Sequence, residues 1–152
     1  MFPNAQALDA IGAKNEDDGF QPIVNCVLGG DVGRLSGELA RLRELSLSPV
    51  GLLLAFERRA AQLVQLAARR GPRDDVQRFI EGERQARRVF FRDAPDLGNQ
   101  LRRWRGRRLD RLVARLVALH RELLANSQSA ELLLAQGLTE ITRAAAAAER
   151  KR

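Results

Sequence analysis

The chain has 152 residues, 45% of them hydrophobic, with 26 Lys and Arg against 19 Asp and Glu and a formal charge of +7. That is one domain's worth of chain, and its wealth of Leu, Ala and Arg, with no Tyr and one Trp, points to an all-α fold. The lone cysteine, Cys26, excludes an intrachain disulfide and a cysteine-based metal cluster, and no apolar run reaches the roughly 18 residues that span a bilayer.

Charge is unevenly placed. Residues 1–19 hold one Lys and four acids (Asp9, Glu16, Asp17 and Asp18), so the rest of the chain carries +10. Its cations are nearly all Arg, a balance that suits an acidic partner or simply a solvated arginine-rich surface. With no signal-like segment, the expected location is the cytoplasm, without a membrane partner.

In chain order, residues 1–19 read as a linker or partly disordered extension, with one turn of structure at Leu8 to Ala13 and a polar loop from Lys14 to Gly19. A folded region of six to seven helices is expected over residues 20–148, with a frayed basic tail at 149–152. Its first helix, Phe20 to Leu28, ends at Gly29-Gly30, and Asp31 is placed to cap the next. That second helix carries Val32, Leu35, Leu39, Leu42 and Leu45 at intervals of three or four.

Ser48-Pro49 is a strong helix start, a capping hydroxyl followed by Pro at the first helical position. The helix runs to Gly71-Pro72, with Leu53, Phe56, Ala60, Leu63 and Ala67 on one face and Arg58, Arg59, Gln62, Gln65 and Arg69 on the other. Asp74 to Arg88 is a more polar helix interrupted by Gly82. Val89-Phe90-Phe91 reads as a buried anchor, and Asp93-Ala94-Pro95 opens a helix ending near Gly106.

Arg107 to Leu124 is the clearest helix. On a wheel turning about 100° per residue, Leu109, Leu112, Val113, Leu116, Val117, Leu119, Leu123 and Leu124 fall in one arc of roughly 160°. A stripe that wide needs packing partners on two sides, as in a bundle or a subunit contact. Ser127 or Ser129 then caps a last helix that carries Leu134, Leu138, Ile141 and Ala145 and frays from Ala144.

Few residues point to chemistry. His120, the only His, lies within the wide stripe and is either a base or ligand, or a core or interface residue with satisfied nitrogens. Glu57 sits on the apolar side of its helix and needs a partner there. That partner is either His120, as an acid/base couple, or an Arg from a neighbouring helix or subunit, the commoner arrangement. The interface candidates are therefore Leu53, Phe56, Glu57, Leu116, His120 and Leu123. Arg102, Arg103, Arg105, Arg107, Arg108 and Arg111, around Trp104, are the candidates for phosphate contact, with the indole either stacked on a base or in the core. No phosphate loop, nucleophile elbow or zinc motif is present, so no catalytic residue, cofactor or metal is assigned.

The order of motifs carries a resemblance. Val27-Leu28-Gly29-Gly30-Asp31, Leu39 to Leu45, Ser48-Pro49-Val50-Gly51-Leu52-Leu53, Val89-Phe90-Phe91-Arg92, Gln100-Leu101-Arg102-Arg103-Trp104 and Arg108-Leu109 with the long helix follow one another. Over Phe20 to Ala146 this resembles the C-terminal third of the delta subunit of bacterial DNA polymerase III, part of the sliding-clamp loader. The resemblance implies an all-helical collar domain, not an enzyme, that packs with the collars of delta-prime and the gamma/tau motor subunits. It implies clamp contact only through two further domains, which this sequence does not contain, so no clamp-binding residue carries over. The expected lysine after Leu123-Leu124 is also replaced, by Ala125-Asn126. On this reading the chain is an expressed fragment or a truncated gene product, and residues 1–19 are the hinge. The alternative is a small basic helical module that binds nucleic acid.

Overall fold

The computed structural model describes residues 19–71 and 75–150. The expected linker and its turn at Leu8 to Ala13 lie outside the described residues. Within them the chain is helical throughout, with no strand. Helix α1 covers residues 19–28. Then come α2 (Val32–Glu44), α3 (Pro49–Arg69), α4 (Val76–Gln85), α5 (Ala94–Arg103), α6 (Arg107–Ala125), a single 3₁₀ turn (Ser127–Ser129) and α7 (Ala130–Arg150). The all-α bundle read from composition and periodicity is the fold observed.

Helix α1 is the core's centrepiece. Phe20, Ile23, Val24, Cys26, Val27 and Leu28 are all buried and only the side at Pro22 is exposed, so this short helix lies largely inside the bundle. Around it α3 packs on α6, α6 on α7, α2 on α7, and α4 on α5. The α1–α2 turn is a close fit. Gly30 has a φ of +73°, and a methyl group on it would lie 2.7 Å from the Ala146 nitrogen of α7. Both facts require glycine there, the first for conformation and the second for space.

The helix starts follow the sequence unevenly. Ser48 Oγ accepts from the Gly51 amide at 3.1 Å, and Asp75 caps α4 through a 3.1 Å bond from the Arg78 amide. Asp31 and Asp93 occupy N-cap positions, but neither side chain accepts a cap bond. Helix α4 is shorter than Asp74 to Arg88, and Gly82 lies inside it without breaking it. Helix α7 does not fray at Ala144. It stays helical to Arg150 because its alanines pack beside Gly30 and accept hydrogen bonds from two arginines.

Candidate functional site

The long helix α6 sets the main surface. Its stripe divides lengthwise: Leu109, Leu112, Leu116, Leu119 and Leu123 are buried against α3 and α7, whereas Val113, Val117 and Leu124 on the other flank are exposed. The bundle therefore supplies partners for one side of the stripe only. Of the interface candidates, Leu53, Phe56, Leu116 and Leu123 are fully buried in the chain's own core and are unavailable to a partner. Glu57 and His120 are half-buried.

Those two meet. Glu57 Oε1 lies 2.7 Å from His120 Nδ1, so the partner that Glu57 finds is His120. The pair bridges α3 and α6, which run antiparallel, since Val50 near the start of α3 shares a cleft with Leu124 at the end of α6. In that register the exposed Leu54 of α3 falls beside Leu124, and the exposed Val64 falls beside Val113. Apolar side chains thus flank the polar pair above and below. No group of three or more His, Cys, Asp or Glu residues that could hold a metal occurs among the described residues.

A second surface contradicts the sequence reading. Val89 is buried as expected, but Phe90 and Phe91 are 57% and 59% exposed. Their ring centroids lie 4.9 Å apart, tilted by 52°, and the Arg92 guanidinium sits 5.9 and 5.8 Å from the two centroids. The anchor is Val89 alone. The loop is held from behind by Glu83, whose two carboxylate oxygens each accept a fork of bonds: Oε1 from Arg69 at 2.9 and 2.6 Å, Oε2 from Arg88 at 3.0 and 2.6 Å. The Arg88 bonds, followed by those of Arg69, hold this carboxyl below the usual range against the opposing effect of its burial. Fixed in this way, the loop presents both rings to solvent. Residues 84–92 contain four Arg and no acid.

The Arg cluster around Trp104 is dispersed. Trp104 is buried and donates Nε1–H to the Leu28 carbonyl at 2.9 Å, so it is a core residue and cannot stack on a base. Arg103 donates to Asn99 and to the Ala145 carbonyl. Arg108 stacks over the indole at 5.6 Å and donates to the Ala144 carbonyl. Both tie α5 and α6 to α7. Arg102, Arg105, Arg107 and Arg111 remain exposed. No protein-family model, curated protein or solved structure matches the chain.

Arg59 is the residue that the sequence misplaced most. Assigned to the solvated face of α3, it is 7% exposed. It donates to Asn25 at 2.6 Å, Gln100 at 3.0 Å and Gln21 at 2.6 Å, while Gln100 donates to Asn25 at 2.9 Å. Burial lowers its pKa, opposed by the more distant Asp93 and Asp96. The signal available in sequence was three amide side chains, Gln21, Asn25 and Gln100, on otherwise apolar faces. Cys26 is also buried; burial, followed by Asp31 and Glu38, pushes its thiol up to about 11, and it donates to the Asp31 carbonyl. It is a structural residue rather than a nucleophile.

Proposed function

We propose that the chain is a non-catalytic helical oligomerisation domain, acting as the delta-subunit collar of a clamp loader does and assembling with the collars of delta-prime and gamma/tau. The observation that carries this reading is the exposed apolar row on α3 and α6, Leu54 and Val64 beside Val113, Val117 and Leu124. Exposed apolar side chains gathered on two adjacent helices mark an interaction surface, and the Glu57–His120 pair between them gives it a polar register mark. The location that goes with this role is the cytoplasm; no described helix is long and apolar enough to cross a membrane. Co-elution with a gamma/tau motor subunit on size exclusion is the test. Complex formation that survives moderate salt and is lost in Leu54→Asp/Val117→Asp, with unchanged helicity, supports the reading. Separate elution of the unaltered chain refutes it.

The exposed Phe90–Phe91 pair favours a second reading, binding of single-stranded nucleic acid. Aromatic rings beside cations are a stacking platform for bases. Fluorescence anisotropy with a single-stranded oligonucleotide across a salt series tests it. Steep weakening with salt, and a loss of roughly 1–3 kcal/mol per stacked base in Phe90→Ala/Phe91→Ala, are expected. Salt-insensitive or unaltered binding contradicts it.

A further inference from the structure

Helices α3 and α6 each carry a second stripe besides the one buried in the core. On α3, Leu54, Glu57, Ala61 and Val64 follow at steps of three, four and three, and none of them is fully buried. On α6, Val113, Val117, His120 and Leu124 follow at steps of four, three and four, again short of full burial. Such alternation is a heptad seam, and on a helical wheel each set keeps within an arc of about 80°. The 2.7 Å contact between Glu57 and His120 fixes the register between the two seams. Antiparallel helices then place Leu54 by Leu124, Ala61 by Val117 and Val64 by Val113. The seams form four layers along one groove, three apolar and one polar.

Two outward seams on neighbouring helices make a seat for one more helix with a seam of its own. Charge argues against a second copy in that seat. Helices α3 and α6 together hold eight Arg against three acids. One of those acids, Glu57, is already committed to His120, and the exposed Arg121 lies at the groove's edge. Two such faces repel each other, so a fitting occupant brings acids on its flanks. The polar layer adds a second demand. A helix laid in the groove covers the other Glu57 oxygen and the other His120 nitrogen. Under an apolar side chain both would lose water without gaining a partner. A buried polar layer of this kind selects one register among several.

We propose that the α3–α6 groove takes a single amphipathic helix from another protein. That helix is apolar at three layers, sets an amide or hydroxyl side chain against Glu57 and His120, and is acidic on its flanks. This rests on the assembly reading above and states what the partner must offer.

The test is a fluorescent synthetic helix of three heptads, with Leu along its seam, one Asn within the seam and Glu on its flanks. It is titrated into the full chain and read by anisotropy. It should bind about tenfold more tightly than the same peptide with Leu in place of Asn. In Glu57→Leu/His120→Leu that order should reverse, which a merely structural role for the pair would not produce. A version with Lys flanks should bind about tenfold more weakly, with a gap that narrows as salt is raised. Val117→Asp should abolish binding without loss of helicity. Equal affinity for the Asn and Leu peptides, or a preference for Lys flanks, overturns the proposal. So does a dimer of the chain in analytical ultracentrifugation that Val117→Asp dissolves, which gives the groove to a second copy. Co-elution with a motor subunit while no peptide binds overturns this inference alone; peptide binding without co-elution overturns the assembly reading alone.

Discussion

Arg59 shows how a single residue can hold three elements together. Its guanidinium joins α1 through Gln21 and Asn25 to α5 through Gln100, from a position on α3. All three direct acceptors are neutral amides, so the charge itself is stabilised only by hydrogen bonds and by carboxylates farther off. Removing it would take the Arg59 donor from the Gln21 and Gln100 oxygens, each worth roughly 1–3 kcal/mol, whereas the Asn25 oxygen keeps its bond from Gln100. Loss of the buried charge offsets part of this. We expect Arg59→Met to destabilise the fold by about 2–4 kcal/mol in urea unfolding. Arg59→Lys should be damaging too, because an ammonium cannot reproduce the planar fork. A Met variant as stable as the parent would show that the amides re-pair among themselves.

At the scale of elements, α6 and α7 approach closely because Gly137 lacks a side chain. A methyl group there would sit 2.7 and 3.0 Å from the two Leu119 methyls, and Leu119 is fully buried and has little room to give. Gly137→Ala sets about 1 kcal/mol of gained helix propensity against an overpacking cost of up to roughly 3 kcal/mol. The expected outcome is a net loss of stability, read as a lower Tm; a higher Tm would mean that Leu119 moves freely. Helix ends teach a related lesson. The helices α1, α2 and α4 all close with a left-handed residue, Gly30, Ser46 and Arg87. Only the first is glycine, so only the first boundary was marked in the sequence. Arg87 ends α4 because the Glu83 carbonyl accepts from the Arg88 and Val89 amides while the Glu83 side chain holds the Arg88 guanidinium. These turn contacts outweigh the cost of a left-handed, non-glycine residue, roughly 1–2 kcal/mol.

For the whole molecule, Glu83 makes stability depend on pH. Its carboxyl is held below the ordinary value of 4.5, chiefly by Arg88 and then by Arg69. A depressed carboxyl stabilises the fold at pH values above its unfolded pKa, and that contribution is lost as pH falls through the folded value. The urea midpoint should therefore drop as the solution is acidified below about pH 4.5. Glu83→Gln should be less stable at neutral pH and show a flatter acid limb. The same substitution should loosen the loop that displays Phe90 and Phe91, since an amide has one accepting oxygen and can keep only one of the two arginine forks. An acid limb unchanged by Glu83→Gln would place the titration elsewhere.

The sequence by itself determined the fold class, the helix order and most of the core. Those follow from local spacing, because leucines three and four apart must share a face whatever lies beside them. The stripe on α6, the Ser48-Pro49 start and the Gly29-Gly30 turn were all legible in this way. Only tertiary structure decided which part of each face is covered. Three of the eight apolar residues in the α6 stripe are left open because α3 and α7 reach one flank alone. Phe90 and Phe91 face solvent because Glu83 fixes the loop behind them, and Arg59 is interior because amides from α1 and α5 converge on it. Burial is set by neighbours distant in the chain, and no periodicity within one helix specifies where those neighbours end.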